Sequence, residues 1–229
     1  ETFNVEITEE KLRHAVHVAN EGRLALRRFY ELMKNDPAPM DGSNLFGVLY
    51  GSQFKFDREK MPAEIDALRE KIEKEYAEGE KPARKKRILL TGCPSSGAPM
   101  KVVKSIEANG GNVVCYENCG GAKSVDRLID EDTDDIYQAI AERYLAIGCS
   151  VMTPNPNRYE LLGRLLEEYQ IEGVVEMTLQ ACHTYNIEAK SIEKFVNSKG
   201  IPYMHVETDY SQTDVGQLDT RIAAFLEMI

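Results

Sequence analysis

Basic residues are in short supply in this 229-residue chain. Its 28 lysines and arginines stand against 38 aspartates and glutamates, giving a net charge of −10 and a pI near 5.0. A sequence-independent grip on nucleic acid needs a basic face, so that class drops out. The one basic run, Lys81 to Arg87, sits beside Pro82 and reads as a solvated linker. Long apolar runs are missing too: none approaches the about 18–20 residues of a membrane helix, so no membrane partner is expected. The chain has no C-x2-C pair, which disfavours a zinc ribbon or a thioredoxin-type site. Neither a P-loop nor a G-x-G-x-x-G pattern occurs. Five cysteines form no tight cystine framework, and no secretion-signal pattern is present. Together these predict a reducing, cytoplasmic compartment. What remains is an ordinary globular composition with 42% apolar residues. The chain opens on Glu1 rather than Met, which we read as the mark of a portion of a longer protein.

The first 80 residues read as helical. Thr8 with Lys11 is an imperfect capping box, and Leu12, Val16, Ala19, Arg23, Leu26 and Phe29 follow at helical spacing. That helix is expected to stop near Lys34, before Asn35-Asp36-Pro37-Ala38-Pro39. A short apolar stretch covers 45–50, and a charged helix is expected over 62–76. Two helices bury little by themselves, so this segment must pack on something else. From Arg87 onward short apolar runs at 88–92, 112–116, 173–178 and 201–206 alternate with helical patterns at 99–108, 133–144, 157–169, 186–198 and 217–228. Such alternation predicts an α/β fold: an open parallel sheet of four or five strands flanked by helices, Rossmann- or flavodoxin-like. The fifth strand would fall at 150–153, against Pro154 and Pro156. Met100, Met177, Met204 and Met228 read as core.

Ligands of open parallel sheets sit outside the carboxyl ends of the strands. Cys93 follows the first run, Cys119 the second, Cys182 the third, and Glu207-Thr208-Asp209 the fourth. Three thiols and two carboxylates thus share one edge by topology. Gly92-Cys93-Pro94-Ser95-Ser96-Gly97 reads first as a tight βα turn and second as an anion cradle. Cys115 lies within a strand, where a cysteine packs as a small apolar residue. Cys119 lies in the loop beyond, before Gly120-Gly121, which let a backbone approach a bulky cofactor. Cys149 is on position alone as readily structural as ligating. Three roles stay open for His183: ligand, proton donor, or hydrogen-bond partner of a cluster sulfur. Thiols spread over loops of separate strands suit an iron–sulfur cluster better than a structural zinc. The six carboxylates between Asp126 and Asp135 lack EF-hand spacing and read as a solvated loop feeding a helix N-terminus. Asp209 reads as a turn cap.

The text Val113-Val114-Cys115-Tyr116-Glu117-Asn118-Cys119, then Cys149-Ser150-Val151-Met152-Thr153-Pro154-Asn155, resembles the 2-hydroxyacyl-CoA dehydratase and benzoyl-CoA reductase superfamily. Gln180-Ala181-Cys182-His183-Thr184-Tyr185 and Glu207-Thr208-Asp209-Tyr210 continue the likeness, which is greatest to the double-cubane cluster protein branch. The resemblance covers nearly the whole chain. It implies that Cys119, Cys149 and Cys182 are cluster ligands, with Cys115 fitting the double-cubane branch and Cys93 left out. It implies an iron–sulfur cofactor of the 4Fe-4S type, double-cubane in that branch, at the junction with an upstream α/β domain absent from this chain. Short of those upstream ligands, the portion in hand is expected to lose its cluster in air. Residues 1–84 are expected to form a helical linking segment and 85–229 the cluster-binding α/β domain.

By the same resemblance, subunits pair as a homodimer and an ATP-hydrolysing activator delivers low-potential electrons. The expected function is an iron–sulfur reductase component acting on a small unsaturated substrate. The alternatives are a 2-hydroxyacyl-CoA dehydratase subunit, a lyase, and a domain without a cluster. Cys115 and the Cys182-His183-Thr184-Tyr185 text weigh toward the reductase.

Overall fold

The computed structural model describes residues 2–94 and 97–229, so Ser95 and Ser96 of the turn after the first strand, and Glu1, lie outside the described residues. Helix α1 (Glu9–Glu31) starts where Thr8 Oγ1 accepts from the Lys11 amide at 3.3 Å, and a 3-10 turn carries it to Lys34. Helix α2 (Gly42–Ser52) occupies the stretch read only as apolar, so the segment has three helices where two were expected. Helix α3 (Met61–Glu78) completes it with Pro62 in its first turn, where a missing N–H costs nothing.

The α/β part runs β1 (Lys86–Gly92), α4 (Ala98–Ala108), β2 (Gly111–Glu117), a short α5 (Ala122–Val125), α6 (Ile136–Leu145) and α7 (Pro156–Glu168). It continues through β3 (Gly173–Leu179), α8 (His183–Ser198), β4 (Tyr203–Thr208) and α9 (Val215–Met228). The four strands are all parallel, in the order β2-β1-β3-β4. No fifth strand forms at 150–153 among the described residues; the chain turns there before Pro154. Right-handed crossovers leaving the β1–β3 pair in opposite directions put α4 and α8 on opposite faces. The central strands are buried on both faces, which explains their near-continuous apolar text. Gly92 ends β1 at φ +106°, with its Cα against the Met177 carbonyl; only glycine fits that crossing.

The N-terminal helices pack where the sequence demanded a partner, on β2, which would otherwise be a bare sheet edge. Asn112 accepts from the Gly42 amide at 2.7 Å and donates to the Met40 carbonyl at 2.9 Å. Tyr116 donates to the Gly42 carbonyl at 2.8 Å, and Tyr30 to the Tyr116 carbonyl at 3.0 Å. Phe29, Met33 and Leu45 join the strands in one apolar core. A smaller cluster joins Val16 to Ile129 and Ile136, where buried Asn20 bonds both backbone groups of Ile129. The acidic stretch is therefore anchored at its middle. Its end behaves as expected, since Asp135 caps α6 by accepting from the Gln138 amide at 3.0 Å. Met177 is in the core, whereas Met228 is 77% exposed at the end of α9. No helix among the described residues is long and apolar enough to cross a membrane.

Arg87 corrects the linker reading of the basic run. It is 1% exposed, and its guanidinium donates to the carbonyls of Met33, Asn35 and Tyr169 at 2.6–2.8 Å. It ties the 3-10 turn that follows α1 to the end of α7 across the first residues of β1. Arg87→Ala leaves three carbonyls without their donor and is expected to lower unfolding free energy by about 3 kcal/mol. Arg87→Lys should recover only a fraction, because one ammonium cannot replace a planar fork. Urea unfolding midpoints of the two variants measure this.

Candidate functional site at the carboxyl edge of the sheet

Because every strand points the same way, the residues after β1, β2, β3 and β4 emerge at one edge. Cys93 follows β1, Cys119 follows β2 and Cys182 follows β3, as the topology required. The order β2-β1-β3-β4 places the switch in winding direction between β1 and β3, so Cys93 and Cys182 flank the crevice such sheets use for ligands. Cys93 Sγ accepts from the Leu179 amide at 3.4 Å, and Cys182 stands at the N-terminus of the 16-residue α8. Burial pushes the Cys93 thiol up to about 12. Partial burial works against ionising Cys182. The Tyr185 amide, the Cys93 thiol and the Thr184 hydroxyl outweigh it, and hold Cys182 below the usual thiol value.

Cys119 is exposed in the loop after β2. Cys149 reaches the same edge from the loop between α6 and α7. Gly148 lets it do so, since a Cβ there would sit 2.6 Å from the Arg158 backbone. Tyr185, in the first turn of α8, is buried here, and burial first, then the neighbouring Cys119, raises its phenol above the ordinary value. Cys115 is apart from these four: it is wholly buried in β2, beneath Tyr30, and burial raises its thiol well above the ordinary range. Among the described residues no three His, Cys, Asp or Glu side chains converge on one point that would seat a single metal ion. At the β4 end, Asp209 accepts from the Ser211 amide at 2.7 Å, the turn cap expected of it, and Glu207 accepts from Asn186 at 2.9 Å.

Beneath the thiols lies a buried charge network that the sequence reading missed. Arg158, in the first turn of α7, is fully buried. Its guanidinium donates to Thr91 of β1 at 2.9 Å and to Glu176 of β3 at 3.1 Å, faces Glu117 of β2 at 3.5 Å, and pairs with Glu188 of α8. Lys123 meets the other Glu117 oxygen at 3.1 Å. Glu188 also accepts from Asn155 at 2.6 Å, and Asn155 donates to the Cys149 carbonyl at 2.9 Å. Tyr203 donates to Glu176 at 2.6 Å. Burial raises the Glu176 carboxyl above its ordinary value, although Arg158 and Tyr203 oppose it. Burial likewise opposes the charge on Arg158, but Glu117, Glu176 and Glu188 prevail and raise its pKa. The available signal was a glutamate inside an otherwise apolar run at 176 and another closing one at 117. In a strand covered on both faces, a carboxylate demands a buried cation.

Beside this edge, between α1, the α2–α3 turn and Gly120, opens a cavity of about 630 Å³. Val18, Leu26, Leu49 and Met61 make much of its wall, and Arg23 is its half-buried cation. A space of this size suits a small organic ligand.

The family model for the 2-hydroxyglutaryl-CoA dehydratase D-component matches residues 1–229. The chain belongs to that family. It is similar over its whole length, at 48% identity, to YjiM of Escherichia coli, named as a candidate dehydratase subunit, and covers 60% of it. It is 24% identical to the beta subunit of (R)-2-hydroxyglutaryl-CoA dehydratase from Acidaminococcus fermentans, over 98% of the chain and 59% of that protein. One of the subunits of benzoyl-CoA reductase from Thauera aromatica is 28% identical over 78% of the chain and 44% of that protein. The chain thus spans about 60% or less of the length of these curated relatives, which lie in the superfamily its motifs resemble.

Removing the central cation tests the network. Arg158→Met strands Glu117 and Glu176 in the interior and should cost about 3–5 kcal/mol at neutral pH. The deficit should shrink as pH falls. Without Arg158, the folded Glu176 carboxyl rises further, so the folded state binds more protons than the unfolded one and gains stability toward acid. Denaturant titrations of both proteins across a pH series read the effect.

Proposed function

We propose that this chain supplies the thiol-bearing face of an iron–sulfur site in a low-potential redox protein of the dehydratase and reductase superfamily. One observation carries the reading: thiols from loops of separate parallel strands share the carboxyl edge, two of them at the winding switch. A cluster takes its ligands at different irons, so they are spread around it and need not meet at one point, as a single ion would require. The residues present fit such a group. Its donor set is rich in thiols, Cys182 is disposed to ionise, and a buried Tyr185 hydroxyl at this edge has no partner among the described residues. Cys119, Cys149 and Cys182 are the proposed ligands, and Cys93, beside Cys182, joins them as a fourth candidate. Cys115 fits the double-cubane pattern in sequence, but its seat under Tyr30 gives it a packing role unless β2 rearranges.

When bound, the cluster supplies one-electron chemistry at low potential; the chain's residues orient it and keep water from its buried side. The proposal extends to the longer protein: an upstream domain completing the ligand set, a homodimer in the cytoplasm, and an ATP-hydrolysing activator as electron source. The apolar cavity beside Gly120 is the proposed seat for a small substrate.

Two chemistries suit this scaffold. Reduction of a small unsaturated substrate follows from the double-cubane resemblance and from thiols beyond those of the shared motif. Dehydration of a 2-hydroxyacyl thioester is favoured by the names of the relatives, and the burial of Cys115 removes one feature that weighed against it. The full-length protein, purified without oxygen, should contain iron and acid-labile sulfide, and with an activator and ATP should consume electrons in step with substrate reduced. Water elimination from a 2-hydroxyacyl-CoA, needing only catalytic electrons, would establish the second chemistry instead. Iron-free protein would overturn both.

A further inference from the structure

Among the described residues, four buried polar side-chain atoms near the carboxyl edge lack a hydrogen bond: Glu117 Oε1, Lys123 Nζ, Arg158 Nε and the Tyr185 hydroxyl. The first three face opposite charges within ion-pair distance. Tyr185 alone is left with nothing. It is 5% exposed and sits three residues beyond Cys182. Two cations stand near its ring, with the Arg158 guanidinium carbon 5.3 Å and Lys123 Nζ 5.6 Å from the ring centre. Those cations are fixed by Glu117, Glu176 and Glu188, so buried ion pairs border the ring.

Cys119 follows Glu117 by two residues, and the Cys149 carbonyl accepts from Asn155, which also donates to Glu188, so both thiol loops border the charges around this ring. Burial keeps the phenol protonated, hence a donor. A buried donor without an acceptor is destabilising and rarely kept unless something arrives to accept from it. The thiols that would bring that acceptor belong to two different loops, one after β2 and one between α6 and α7.

We propose that the Tyr185 hydroxyl donates a hydrogen bond to a sulfur of the iron–sulfur group bound through Cys119 and Cys149, making Tyr185 a positioning residue that sets how readily the group accepts an electron. This rests on the iron–sulfur reading above. A donor aimed at sulfur stabilises the more reduced, more negative state and so raises the reduction potential. Lys123 and Arg158, behind the ring, act in the same sense. The assignment gives the missed network a role: it orients one hydroxyl and keeps it from swinging away in either oxidation state.

The test uses the full-length protein loaded anaerobically. Tyr185→Phe removes only the hydroxyl. It should retain wild-type iron and sulfide per chain, while its midpoint potential moves negative. The shift of the iron–sulfur stretching bands on exchange into deuterium oxide should disappear for one band. Site-specific 3-fluorotyrosine at 185, a stronger donor of nearly the same shape, should move the potential positive. An iron-loaded Phe variant with unchanged potential and bands overturns the role of the hydroxyl and leaves the cluster reading standing. An altered KM at unchanged potential also overturns it, because the bond then goes to substrate. Wild-type protein without iron overturns the cluster reading and this proposal together. Should the Phe variant fail to fold or load, the fluorotyrosine protein decides: an unmoved potential there overturns the proposal.

Discussion

A single guanidinium under the carboxyl edge holds the working end of the sheet together. Arg158 reaches from α7 to β1 through Thr91, to β2 through Glu117, to β3 through Glu176 and to α8 through Glu188. Three adjacent strands and the helix carrying Tyr185 are thereby fixed against one another just below the loops that bear the thiols. With Lys123 the network sets two cations against three carboxylates, all taken largely out of water. Such burial is costly, and well-packed apolar residues serve stability as well or better. What ions offer is directional constraint, which an edge that must place thiols from separate loops requires and an apolar patch would not supply.

The network also connects to the thiols through short stretches of chain and through hydrogen bonds. Glu117 is two residues from Cys119, and Asn155 links Glu188 to the Cys149 carbonyl. Cys182 begins the helix that contributes Tyr185 and Glu188. Each thiol loop is thus referenced to the same buried charges. Cys115 lies outside this arrangement, although it is only four residues from Cys119. The strand–loop boundary after Glu117 divides a packing thiol from an accessible one.

Much of the fold was legible in the chain itself. Apolar runs of strand length alternating with amphipathic helices specified a parallel sheet, and parallel strands forced Cys93, Cys119 and Cys182 onto one edge. The motif text around Cys119, Cys149 and Cys182 pointed to the superfamily that the family model shows. The features that escaped depend on partners distant in sequence. Helix α2, with Gly42, Gly47 and Gly51, has weak intrinsic helicity and forms because β2 offers it a surface. Arg87 looked solvated within a basic run, because the three carbonyls that receive it lie at 33, 35 and 169. Arg158 follows two prolines at the start of the helix expected over 157–169, and nothing local marks it as fully buried. Only the glutamates at 117 and 176 hinted that a cation had to come from elsewhere.

The claim on which all else depends is that thiols from separate strand loops, and not Cys115, bind one iron–sulfur group. Iron per chain in the anaerobically loaded full-length protein, compared across Cys119→Ser, Cys149→Ser, Cys182→Ser and Cys115→Ser, addresses it directly. Iron should fall sharply in each of the first three and stay at the wild-type level in the fourth. Full iron in the Cys119 and Cys182 variants, or its loss in the Cys115 variant alone, would contradict the site described above.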